Sequence, residues 1–242
     1  MSTRSLILRE AVALLAESSS GDISTRAVCE AAGVAQPALY RIFGDKDGLL
    51  AAVADSVWGE YLEMKRSAEP SADPLVDLRN GWDRHLAFAL AQPHAYRLVF
   101  ASGLSTRPAA MGEAMGLLEG ILQRLAAAGR LSMPPAEAAR LVMAANSGLA
   151  LGMILRPELY PPEAPIEPAR EAVIRAIVLD DPAGADDPAV PAAVTLEASL
   201  QRAHGFTGAE RALLSEWLGR FRRSAIEPPA ETDSTPQEGS TP

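Results

Sequence analysis

Residues 24–53 read STRAVCEAAGVAQPALYRIFGDKDGLLAAV, and this window decides the fold. Ser24 is a helix N-cap residue type, and it precedes an apolar-patterned run that ends at Ala32. Gly33 supplies the left-handed backbone that a tight turn between helices favours. A second short helix is expected over Gln36–Phe43, with Pro37 in its first turn, where a missing N–H costs nothing. Gly44 stops that helix and Asp45 caps a third, while Asp47 adds negative charge at the positive end of its dipole. Asp45-Lys46-Asp47-Gly48 matches only a fragment of a calcium loop and lacks the other ligands, so it reads as a cap. Val28, Val34, Leu39 and Phe43 are spaced to pack the first two helices together. The layout is a helix-turn-helix, whose second helix is held out as a rod that fits the major groove of DNA.

The outward side of that rod carries Gln36, Pro37, Ala38, Tyr40 and Arg41. Gln pairs with adenine N6/N7 and Arg with guanine O6/N7, and Tyr hydroxyls commonly reach phosphates. Ser24 and Thr25 at the start of one flanking helix, and Lys46 at the start of the other, stand where phosphate clamps belong. Charge excludes a broad basic surface. The chain carries a formal −9, and residues 1–68 hold seven Lys/Arg against nine Asp/Glu. DNA affinity must therefore come from a few placed donors.

At these residues the chain resembles the N-terminal DNA-binding domain of the tetracycline-repressor (TetR) family. That pattern has a Thr-x-x-(Ile/Val) opening, an Ala-Gly-Val turn, a Leu-Tyr-x-x-Phe recognition helix, then Lys and Leu-Leu. Here it appears as Thr25…Val28, Ala32-Gly33-Val34, Leu39-Tyr40-Arg41-Ile42-Phe43, Lys46 and Leu49-Leu50, within a match over about residues 3–60. Two positions depart from it. Ala35 stands where the family commonly has a Ser cap, a loss of about 1 kcal/mol, and Ile42 replaces an often aromatic or His position. The resemblance implies an all-helical homodimer that binds a palindromic operator, usually as a repressor. It further implies a second helical domain with a ligand cavity and dimer surface, and ligand binding that moves the fourth helix and spreads the two heads.

The remaining sequence is helical in pattern throughout. Ala and Leu dominate and aromatics are 5% of residues, which favours helix packing over sheets. A first helix is expected over Thr3–Ser18, a long fourth from Asp45 to Ser67, then helices over Pro74–Gln92, a short one from Pro93, Pro108–Ala128, 134–155 and Glu167–Leu179. Five prolines between Pro157 and Pro168 form a stiff connector. Residues 180–191 read as a loop, with a helix over Ala192–His204. Thr207-Gly-Ala-Glu210 is a capping box that opens a last helix with Leu214, Trp217, Leu218 and Phe221 at helical spacing. The tail is too polar to bury anything and is expected to be disordered. The expected organisation is all-α: residues 1–48 a three-helix reader domain, 49–223 an effector-binding and dimerisation domain, and 224–242 the tail.

A small-molecule pocket is expected among the middle helices, walled by Trp82, His85, Phe88, Tyr96, Phe100, Met111, Met115 and Leu118. The same residues at the same spacing also serve as plain core. Dimerisation is expected through the helices 134–155 and 167–179. There Ala144, Ala145, Gly148 and Gly152 let a partner helix approach, and Leu149, Met153, Val173, Ile174 and Ile177 fill the contact. The run Leu141–Leu155 is fifteen residues and contains Asn146 and Ser147; it falls short of the roughly 20 that span a bilayer, so a buried helix is expected. No signal peptide is apparent, and a cytoplasmic protein without a membrane partner is expected.

Enzyme motifs are missing: there is no His-Glu-x-x-His, no Gly-x-Ser-x-Gly and no phosphate-binding Gly loop, and His85, His94 and His204 lie far apart. His85 has no second ligand at helical spacing, and the lone Cys29 reads as a small packing residue, so neither a metal nor a cofactor is expected. The expected partners are an operator duplex, a second copy and a small-molecule effector. A helical binding module whose helix-turn-helix does not read DNA stays open as the alternative.

Overall fold

The computed structural model of the chain describes residues 2–161, 165–179, 189–200 and 203–226. Among these, eleven helices make up the fold, and the only extended pairing is a single bridge between Leu131 and Val178. The helices are α1 Thr3–Glu17, α2 Thr25–Ala32, α3 Gln36–Phe43, α4 Lys46–Ser67, α5 Pro74–Ala91, α6 Pro93–Phe100, α7 Ala110–Ala127, α8 Pro135–Leu155, α9 Glu167–Ile177, α10 Ala189–Leu200 and α11 Gly208–Ile226.

Local chemistry sets the boundaries of the first four. Ser2, Ser24 and Asp45 each accept a backbone N–H of the turn they open, at 3.1, 3.1 and 2.7 Å. Gly33 closes α2 at φ 63°, a left-handed conformation, and its N–H returns to Cys29 and Glu30. Only α3 of these four lacks a side-chain cap, because Ala35 stands at that position.

Two apolar cores divide the molecule. The first packs Ile7, Ala11 and Leu15 of α1 against Val28, Cys29 and Ala32 of α2 and Leu39 of α3. It also takes Leu49, Leu50, Val53 and Ala54 from α4, and Ala95 and Leu98 from α6. The second is larger and gathers α4 from Trp58 onward with α5, α7, α8, α9 and α10. A boundary at residue 48 therefore cuts through the first core: the opening turns of α4 pack with the reader. The buried face of α4 meets one neighbour after another along its length, the first core at Leu49–Ala54 and the second at Trp58–Leu62, so α4 serves both.

Trp58 is the centre of the second core. It is fully buried, and its ring meets those of Tyr61, His85, Phe88, Tyr96 and Phe100 at centroid separations of 4.8–5.8 Å. Edge-to-face and stacked arrangements of this kind add to the area they bury.

The carboxy-terminal half differs from expectation in three places. α10 opens at Ala189, inside the stretch expected as loop, because Pro191 falls in its first turn, where no N–H is required. Ile174 and Ile177, expected at a dimer contact, are buried against the protomer's own core; the β-branched face of α9 is used internally. α8 is a 21-residue helix, long and apolar enough to cross a membrane by length and composition alone. Its inner face packs into the core through Ala138, Ala139, Val142, Met143 and Ala150, and Asn146 is buried among them. The capping box of α11 forms as expected: Glu210 N–H donates to Thr207 Oγ1 at 3.2 Å and Thr207 N–H to Glu210 Oε2 at 2.8 Å. Of its apolar residues, Leu214 and Leu218 are half-buried, whereas Trp217 is 55% exposed and Phe221 is also exposed. The loop expected over 180–188 and the tail from 227 lie outside the described residues.

Trp58→Ala is expected to destabilise the fold by about 3–5 kcal/mol, the range for deleting a large aromatic from a packed core. Trp58→Phe should cost less than half as much. Urea midpoints with unchanged slope check both.

Candidate nucleic-acid interface and cavity

α3 is fixed from beneath by Leu39, which is fully buried, while Gln36, Pro37, Tyr40 and Arg41 are exposed and Ala38 is half-buried. Ile42 and Phe43 turn inward against the first core, and the guanidinium of Arg4 lies 5.6 Å from the Phe43 ring centroid. The exposed edge is a row of polar groups on a rigid short helix. Tyr40 Oη and Thr25 Oγ1 are 3.4 Å apart, so the hydroxyls of α2 and α3 share one patch. Ser24 Oγ accepts from Ala27 N–H, which leaves its own hydrogen free to donate outward. Lys46 Nζ is 2.7 Å from Asp22 Oδ1, and that ion pair holds the Asp22 carboxyl below its ordinary range. Arg26, on the same domain, pairs with Glu30 one turn along α2. Arg4 and Arg26 are cations of this domain that the residue pattern did not single out; neither belongs to the helix-turn-helix signature.

A cavity of about 570 Å³ opens between the end of α4 and helices α5, α7 and α8. Of the eight wall residues expected, Trp82, His85 and Leu118 line it. Phe88, Tyr96 and Phe100 instead surround Trp58: Phe88 stacks on Tyr61 at 4.3 Å, and Tyr96 on Phe100 at 4.6 Å. Met111 and Met115 pack against the same core away from the cavity. The apolar remainder of the wall is Leu78, Leu117, Ile121, Val142 and Met143.

The polar half of the wall was not anticipated. Lys65, Arg66, Glu69, Asn80, Arg84, Arg124 and Asn146 border the space, along with Asp77. One signal for it stands in the sequence: Asn146 interrupts an otherwise apolar run, and a buried amide needs partners. Its Nδ2 donates to the Trp82 carbonyl at 3.1 Å, but its Oδ1 and the indole Nε1 of Trp82 are buried with no hydrogen-bond partner among the described residues. Arg124 pairs with Asp77 at 2.5 Å, and Arg66 with Glu63 and Glu113. Lys65 lies 5.0 Å over the Tyr61 ring; burial, with Arg84 nearby, brings its ammonium down to about 8.

His85 closes the floor. Its Nε2 is 2.8 Å from Tyr96 Oη, and burial, with Lys65 adding, lowers its pKa to about 3, so it is neutral at physiological pH. Burial also raises the Cys29 thiol. No cluster of three or more His, Cys, Asp or Glu suited to a metal occurs among the described residues.

The fold and its reader edge define an all-helical, two-core helix-turn-helix protein. Residues 7–53 match the family model described as bacterial regulatory proteins, tetR family. The match covers the N-terminal helices alone, and the chain as a whole shares its fold with solved regulators of that family. A TetR-family transcription regulator from Shewanella sp. PV-4 superposes with TM-score 0.58 at 21% identity, covering 74% of this chain and 100% of that one. NalD of Pseudomonas aeruginosa, the secondary repressor of the MexAB-OprM multidrug efflux pump, gives 0.53 at 23% identity over 74% and 97%. PfmR of Thermus thermophilus, a TetR-family transcriptional regulator, gives 0.50 at 23% identity over 70% and 97%. No curated protein matches the chain by sequence.

The buried neutral His85 links stability to acidity. Between its native value of about 3 and the ordinary 6.5, the unfolded chain binds a proton that the native one does not. Stability therefore falls as pH drops through that window. From pH 6.5 to pH 5 the histidine contribution is about 2 kcal/mol. Urea unfolding across that range should show this slope in the native sequence and its loss in His85→Gln. Glu171, held near 2 by Arg79 and Arg170, adds a separate loss only below its ordinary 4.5.

Proposed function

We propose that this protein is a ligand-responsive transcriptional repressor that acts as a homodimer on a palindromic operator in the cytoplasm, by binding and without catalysis. One observation carries the reading: α4 is built into both cores. Its first turns pack beneath the reader helices, and its last, at Lys65 and Arg66, borders the cavity. An occupant that displaces the far end moves the near end, because a 22-residue helix transmits the shift as a rod. The sequence and operator-facing edge support DNA contacts from Ser24, Thr25, Gln36, Pro37, Ala38, Tyr40, Arg41 and Lys46. The fold shared with NalD and PfmR supports the class of activity.

Pairing is part of the proposal. Two recognition helices reach successive major grooves only if held about 34–36 Å apart, which a symmetric dimer provides. The outer face of α8 presents Leu141, Ala144, Gly148 and Leu155 to solvent, with Ala145, Leu149 and Met153 half-buried beside them. On α9, Ala169, Ala172 and Ala176 are exposed, and Val173 is half-buried. These small and apolar residues form the surface that a second α8–α9 pair would cover. Gly152 sits beneath the Tyr160 ring of its own chain, where an added Cβ would meet ring carbons at 2.9 Å, so it serves the protomer's own packing.

A duplex selected from a random pool supplies the operator, and fluorescence anisotropy at fixed salt then measures affinity. Tyr40→Ala with Arg41→Ala should weaken binding by at least about 100-fold while helical content and dimer mass stay unchanged. A double variant that binds as well as the native sequence, or a native protein that selects no duplex, would favour the binding module that does not read DNA.

A further inference from the structure

We infer that the cavity takes an amphiphilic organic anion: a carboxylate head set between Lys65 and Arg84 at the mouth, and an apolar body carrying one hydrogen-bonding group set against Asn146 and Trp82 inside. This rests on the cavity being the effector site.

The charge arrangement is the first ground. Four cations and two carboxylates border the space. Arg124 is spoken for by Asp77, and Arg66 by Glu63 and Glu113. Lys65 and Arg84 make no ion pair among the described residues, and Arg84 stands near enough to disfavour the charge on Lys65. Two like charges converging on an apolar hollow are an arrangement that a bound anion relieves. The remaining carboxylate, Glu69, is exposed beyond the end of α4, where water screens it. Lys65 and Arg84 together offer enough donors for the two oxygens of a single carboxylate.

The depth profile is the second ground. Arg84 is exposed and Lys65 half-buried, whereas Trp82 and Asn146 are 3% and 4% exposed. The charged end of the hollow is thus the wet end. The walls between are apolar: Leu78, Leu117, Ile121 and Val142. Deeper in, one donor (Trp82 Nε1) and one acceptor (Asn146 Oδ1) are left without partners. An unmade buried hydrogen bond is costly, and native proteins rarely leave such groups unpaired. A hydroxyl on the ligand suits either one, since it can accept from the indole or donate to the amide oxygen. The neutral His85 on the floor adds no competing charge. The volume suits a chain of about ten carbons or a one- or two-ring acid.

The test uses three probes of equal length: 10-hydroxydecanoate, its neutral primary amide, and 10-aminodecanol as the cation. Each is titrated into the full-length protein by calorimetry, and the melting temperature is followed alongside. The anion is expected to bind at least 10-fold tighter than the other two. That preference should fall to within about 3-fold in Lys65→Met and vanish in the double variant with Arg84→Gln, both of which should melt like the native protein. Decanoate, which lacks the hydroxyl, should bind about 10-fold more weakly than 10-hydroxydecanoate, and this difference should disappear in Asn146→Leu. If Asn146→Leu does not fold, the decanoate comparison on the native protein still decides that half. Equal or better binding of the amide or the amine overturns the anion assignment and leaves the cavity as an effector site. Binding of none of the three overturns both.

Discussion

Everything in this molecule depends on one helix belonging to two cores. Leu49, Leu50, Val53 and Ala54 fasten the start of α4 beneath α1, α2 and α3, and Trp58, Tyr61 and Leu62 fasten its remainder to α5, α6 and α7. At 1.5 Å per residue its 22 residues span about 33 Å. Neither core can shift along it without the other registering the change, because close-packed interiors deform in discrete repackings rather than continuously. The reader is therefore not a bead on a flexible tether. Its orientation is set by the same helix that is built into the second core.

A shorter strut runs beside it. α6 places Ala95 and Leu98 in the first core and Tyr96, next to Ala95 in sequence, in the second. The Tyr96 hydroxyl meets His85, which forms part of the cavity floor. Downstream of α6, Ser105 donates both its N–H and its hydroxyl to Asp47, at 2.9 and 2.7 Å, and Ala110 N–H donates to Asp55 at 3.0 Å. The segment between α6 and α7 is thus stitched to α4 at two heights. A disturbance in the cavity has two physical routes to the reader, one along the long helix and one through the histidine–tyrosine contact.

The helix-turn-helix was legible because its signals are local. Ser24, Gly33, Pro37, Gly44 and Asp45 each fix a boundary through their own backbone chemistry, and no distant residue overrides them. The cavity was not legible in the same way. Trp82 and Phe88 both sit on the apolar side of α5, and nothing in their spacing says that one borders a hollow while the other stacks on Tyr61. That distinction depends on where α4 and α7 cross, which is a tertiary matter. The charged wall was missed for a related reason: Lys65 and Arg84 read as solvated helix residues until their neighbours are known. Ile174 and Ile177 show the converse error. An apolar helix near the end of a chain offers two sides, and pattern alone does not say which faces inward.

The Lys46–Asp22 pair has a consequence for how the protein would search a genome. The ammonium that would grip a phosphate is already neutralised by its own chain, in a domain with little spare positive charge. Moving that ammonium to a phosphate exchanges one partner for another, and the abandoned carboxylate then repels the backbone it has been brought beside. On the reading proposed above, bases that engage the exposed edge of α3 would make that exchange favourable, and residence time rather than encounter rate would then separate right from wrong.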